Sequence, residues 1–170
     1  MKWIGALILL CATTWGGFEF ARRLTERPKQ IRQLKNALQV LEAEILYGHS
    51  PVIEACEKVA RQIPEPMAWF FYEFSEQLKE SSASLYDVWE QRIQSFWPLS
   101  ALGEGEKEIM KQFGQTLGQH DFTGQQKHIR LAISHLEREL KEAEEQQYKY
   151  SKMVKSLGFL TGLLIILLFM

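Results

Sequence analysis

Cysteine is scarce. Cys11 and Cys56 are the only thiols in 170 residues, and no C-x-x-C occurs. That pattern excludes a zinc ribbon and a disulfide framework, and leaves a free thiol expected at each position. A surplus of charge of either sign is also missing. The formal net charge is −1, which removes the bulk electrostatic case for nucleic acid. No G-x-x-x-x-G-K-[ST] phosphate loop, no H-E-x-x-H and no G-x-S-x-G is present. No segment alternates apolar and polar residues with a period of two, so a sheet is not expected. Neither a repeat nor a long low-complexity linker divides the chain.

What is there begins with two apolar ends. "WIGALILLCATTWGGFEF", Trp3 to Phe20, is close to the roughly 20 residues that cross a hydrocarbon core. A signal peptide is the competing reading, but no A-x-A cleavage site follows. "KSLGFLTGLLIILLFM", Lys155 to Met170, is shorter. Counted from Met153, with Lys155 reaching back to the interface, it is also long enough. A buried core helix would carry a polar stripe, and Leu163 to Met170 has none. Arg22, Arg23, Arg27, Lys29, Arg32 and Lys35 follow the first run, and Lys149, Lys152 and Lys155 precede the end of the second. Both clusters orient the body toward the cytoplasm. Small residues, Gly5, Ala12 and Gly16 in the first run and Gly158 and Gly162 in the second, are candidates for close packing of the spans.

Between the ends, the apolar spacing is helical. Pro28 is expected to open a helix bearing Ile31, Leu34, Leu38, Leu41 and Ile45, ended by Gly48. Ser50 and Pro51 should start a second, with Cys56, Val59 and Ile63 on its apolar side. After Pro64 and Pro66, a third carries Met67, Phe70, Phe71, Phe74 and Leu78, a core face or a docking face. Ser84 with Asp87 reads as a capping box for a fourth helix bearing Val88, Trp89, Ile93 and Phe96. "WPLSALGEGE" reads as a loop, followed by a fifth helix with Ile109, Met110, Phe113 and Leu117. Thr123 and Gln126 suggest a cap for the longest helix, striped by Ile129, Ala132, Ile133, Leu136, Leu140 and Ala143. Its polar face pairs Glu137 with Lys141 and Glu145 with Lys149. This helix is expected to run toward, or directly into, the second span. The fold class is therefore all-α: a transmembrane helix over 1–22, a cytoplasmic six-helix bundle over 28–150, and a second transmembrane helix over 153–170.

Candidate chemistry is sparse. His128 and His135, seven apart on one helical face with Glu139 four beyond, make a conceivable metal pair, although two turns is far for two ligands of one ion. Solvated or hydrogen-bonding histidines are the alternative. Glu42 and Glu44 lie on different faces and make a poor acid–base pair. Candidate partner contacts fall in the turns: Tyr47, Gly48 and His49, and His120, Asp121 and Phe122. Turns expose polar groups that packing does not consume, though capping accounts for the same residues.

The strings "ATTWGGFEFARRLTERPKQIRQLKNALQVLEAEILYGHSP", "KQFGQTLGQHDFTGQQKHIRLAISHLERELKEAE" and "GFLTGLLIILLFM" resemble the stage III sporulation protein AB family over about half the chain. The resemblance implies a non-enzymatic component, without cofactors, of a complex joining mother cell and forespore. It implies a soluble domain similar to the cytoplasmic domains of type II secretion F proteins. It also implies a partner in the ATPase-like stage III sporulation protein AA, on the mother-cell side. F proteins carry two such domains and more spans, and this chain has one; a homodimer would restore the pair.

Overall fold

A computed structural model describes the backbone of residues 2–118 and 122–169, and the side chains of residues 21–118 and 124–154. Six α-helices are present: α1 (Lys2–Leu46), α2 (Val52–Gln62), α3 (Met67–Glu80), α4 (Leu85–Phe96), α5 (Glu104–Gly114) and α6 (Phe122–Phe169). A 3-10 turn, Trp97–Leu99, follows α4. No strand occurs among the described residues.

Each helix packs on its neighbours in the chain, and α6 returns along α1, closing a ring. The apolar stripes read from the sequence line its interior. Ile31, Leu34, Leu38, Leu41 and Ile45 of α1 are all buried, as are Ile129, Ala132, Leu136 and Ala143 of α6. The three phenylalanines of α3 resolve to core: Phe70, Phe71 and Phe74 are fully enclosed. They surround Trp89 of α4, whose ring meets Phe70, Phe74 and Phe113 edge-on at centroid distances of 5.3, 4.9 and 5.7 Å. Such pairs add about 0.5–1.5 kcal/mol each to the burial of 150–250 Å2 per ring. The indole Nε1 donates to Met110 O of α5 at 2.8 Å, so the one polar atom of the ring is satisfied. Gly114 makes that approach feasible, because a Cβ there would collide with the Trp89 indole.

Three local expectations are corrected. Pro28 does not open a helix; it lies inside α1, which runs unbroken from the first apolar run into the bundle. Its missing N–H forfeits one helical bond, but Pro28 is buried and α1 packs on α6 on both sides of it. Ser50 does not cap α2. Pro51 occupies that position without a side-chain bond. The Ser50 hydroxyl instead accepts from Lys58 Nζ at 2.9 Å, and Lys58 also bridges to Glu44 at 2.7 Å. Gln126 donates to Glu42 of α1 at 3.2 Å, and the Thr123 side chain of the expected capping box lies outside the described residues. Glu137 pairs across helices with Lys35 at 3.0 Å. Ser84 caps α4, its Oγ accepting from Asp87 N, but the box is only half formed, because the Asp87 carboxylate accepts from the Ser84 hydroxyl and not from its backbone N–H. The last helix does continue into the second apolar run, as α6.

Candidate functional site

The two long helices define the ends of the molecule. Polar pairs join α1 to α6 in antiparallel order: Arg27 with Gln146, Arg32 with Glu144, Lys35 with Glu137, and Glu42 with Arg130. As numbering climbs along α1 it falls along α6. The beginning of α1 and the end of α6 therefore leave the ring at one end, here called proximal. Leu46 and the start of α6 meet at the opposite, distal end.

At the proximal end a carboxylate is buried. Glu106 is 0% exposed, on the first turn of α5. Its Oε2 accepts from Gly103 N at 2.6 Å, closing off the helix N-terminus. Its Oε1 accepts from Arg27 Nε and Nη2 at 3.1 and 2.8 Å. Arg27 Nη2 also reaches Glu139 Oε2 of α6 at 3.3 Å. One guanidinium thus ties α1, α5 and α6 together. Sequence reasoning missed this cluster; the available signal was the Gly103-x-x-Glu106 spacing of a cap. Beside it, the loop after α4 is held down: Trp97 Nε1 donates to Gly103 O and Ala101 N donates to Gln30 Oε1, both at 2.8 Å.

At the distal end, Tyr47 N and Gly48 N both donate to Ala43 O, and Ser50 N donates to Glu44 O, finishing α1. A Cβ on Gly48 would stand 2.6 Å from Glu44 O, so only glycine fits this turn. His49 takes a left-handed φ of 49°. Tyr47 is 79% exposed. Of the second set of candidate contacts, only the Phe122 backbone is described, at the start of α6. His120, Asp121 and the Phe122 side chain lie outside the described residues. So do the side chains around Gly5, Ala12, Gly16, Gly158 and Gly162, and that of Cys11. Among the described residues no helix is long and apolar enough to cross a membrane, and the side chains of both apolar runs lie largely outside the described ones.

His128 and His135 do share a groove, with Glu108, Leu131 and Thr116, between α5 and α6. Glu139 does not join them. Its carboxylate lies against Gly105 and is engaged by Arg27. Among the described residues no group of three or more His, Cys, Asp or Glu could hold a metal ion. Cys56 is enclosed in the core, and burial pushes its thiol pKa well above the ordinary range. Glu42 and Glu44 face different partners, Arg130 and Lys58. Arg92 of α4 is buried with its guanidinium 4.3 Å from the ring centre of Trp69. Burial lowers its pKa, and the charge of Glu73 acts the other way.

The described residues thus form an all-helical bundle closed by the pairing of its two long helices. The chain belongs to the stage III sporulation protein AB family, whose model matches residues 2–170. It is 52% identical over 170 residues to stage III sporulation protein AB of Bacillus subtilis (strain 168), covering all of this chain and 99% of that one. A solved structure of stage III sporulation protein AB is 48% identical and superposes with a TM-score of 0.68, over 73% of this chain and 98% of that one. The all-helical fold and a place in sporulation follow from that membership.

Proposed function

We propose that this chain is a non-enzymatic membrane platform in a secretion-like sporulation complex between mother cell and forespore. Two spans hold it, and the bundle couples an ATPase-like cytoplasmic partner, stage III sporulation protein AA, to a transenvelope channel. The observation that carries this reading is the antiparallel pairing of α1 and α6, which sends both apolar runs out of one end. A single bilayer then receives both, and the basic clusters at that end support a body on the cytoplasmic side; the mother cell as that side is what the family resemblance implies. The small residues Gly5, Ala12, Gly16, Gly158 and Gly162 let the two spans pack closely. The distal end, with Tyr47, Gly48 and His49 and the turn His120 to Phe122, faces away from the membrane and meets the partner. Two copies side by side supply the pair of domains that F proteins carry in one chain.

Two measurements test it. Full-length protein in native membranes should resist carbonate extraction and capture the ATPase-like partner. Tyr47→Ala with His49→Ala should remove that capture while leaving thermal stability intact. Full capture by the double variant would move the partner surface elsewhere, and no capture by the wild type would end the coupling reading.

A further inference from the structure

The proximal end holds a second polar feature. A cleft of about 210 Å3 lies between the first exposed turn of α1 and the loop after α4. Arg22 and Arg23 form one wall; Pro98, Leu99 and Ser100 form the other. The loop wall is fixed in place. Ala101 N is bonded to Gln30, Ser100 Oγ donates to Trp97 O, and the Trp97 indole is tied to Gly103. That anchoring presents Leu99 outward, 72% exposed, with no core to cover it. The acidic residue of the cleft, Glu26, is engaged by Lys29 at 3.3 Å. Arg22 and Arg23 each already engage another group, but a guanidinium carries five donors and so retains capacity for a phosphate.

Height decides what reaches this cleft. Arg22 and Arg23 follow Phe20, the last residue of the first apolar run, by two and three positions. At about 1.5 Å per residue that is roughly 3–5 Å past the hydrocarbon edge. The headgroup layer on each side of a bilayer is about 5–8 Å deep. Two arginines and one outward leucine at that depth match a phosphodiester and the apolar surface beneath it.

We infer that the Arg22–Arg23 cleft binds the phosphate of an anionic phospholipid headgroup, with Leu99 set into the interface beside it. This rests on the membrane reading above. The test uses full-length protein in vesicles of phosphatidylcholine with and without phosphatidylglycerol. Wild-type protein should retain phosphatidylglycerol through purification, read by native mass spectrometry, and R22Q/R23Q should retain roughly tenfold less. A fluorophore on Leu99→Cys should shift to the blue on insertion. Unchanged retention by R22Q/R23Q, or an unshifted probe in protein that resists carbonate, overturns the lipid site alone. Extraction of the wild type by carbonate overturns the membrane reading and this site with it. Displacement of the lipid by equimolar inorganic phosphate keeps the anion site and overturns its lipid source.

Discussion

The Glu106 carboxylate, with no exposed surface, sits 2.8 Å from Nη2 of Arg27, which is only 18% exposed. Removing Arg27 leaves a buried charge with Gly103 N as its one remaining donor. Arg27→Met should therefore destabilise the full-length protein by about 3–5 kcal/mol. Glu106→Gln should cost less, because Glu139 and Gln146 still hold the guanidinium. In denaturation of the detergent-solubilised chain, the double variant should lose less than the two single losses added together. Strict additivity would mean that the pair contributes nothing as a pair.

Gly114→Ala tests the approach of α4 to α5. The added methyl would occupy space that the Trp89 indole fills. Either Trp89 gives up its bond to Met110 O or the helices part. We expect a loss of about 3 kcal/mol and a Tm lower by roughly 6–12 °C. A wild-type Tm would show that the two helices have room to spare.

Arg92 behaves differently from Arg27. Its Nε and Nη2 are buried without hydrogen-bond partners. The face of Trp69 and the charge of Glu73 offset part of its desolvation. Arg92→Met keeps the volume and removes the unpaired donors. Stability should stay within about 1 kcal/mol of wild type or rise. A drop of about 3 kcal/mol or more in the same denaturation assay would reveal a bond that the guanidinium does make.

Cys56 should be silent in the folded state. Its thiol is enclosed and its pKa is raised by burial, so the reactive thiolate is absent throughout the physiological pH range. In Cys11→Ser protein, a thiol reagent should label nothing at pH 8 until denaturant is added. Rapid labelling of native protein would place Cys56 at an opening in the core.

The register of the α1–α6 pairs makes a prediction for the proposed spans. Extended along both helices at the average register of the four polar pairs, it predicts Gly16 about level with Gly158 and Ala12 about level with Gly162. In Cys11→Ser protein, cysteines at 16 and 158 should form an intramolecular disulfide on mild oxidation, seen as a mobility shift on a non-reducing gel. A disulfide between chains would assign the small residues to a dimer contact, and none at all would separate the spans.

Much of the ring was legible because burial follows a helical period. Every residue of the stripe Ile31 to Ile45 is enclosed, and Gly48 ends α1 where a side chain would strike Glu44 O. Pro28 was not legible. Its local preference for a first turn is overridden by packing on α6, which lies more than a hundred residues away in sequence. The same distance hid the proximal cluster. Arg27 reads as one more basic residue beside an apolar run, until folding brings Glu106 and Glu139 to it. Tyr47 to His49 could be marked as a turn, but its place beside the start of α6 depends on helix order. For His128 and His135 the shared face was correct, and Glu139 was lost to a competing cation.

Pro28 within an uninterrupted α1 has a consequence for azimuth. With no joint between bundle and apolar run, the direction in which Gly5, Ala12 and Gly16 point is keyed to the direction in which Ile31 and Leu34 pack. One residue inserted between them would turn the whole upper segment by about 100°, swinging its small-residue edge away from whatever it now faces while leaving the ring below undisturbed.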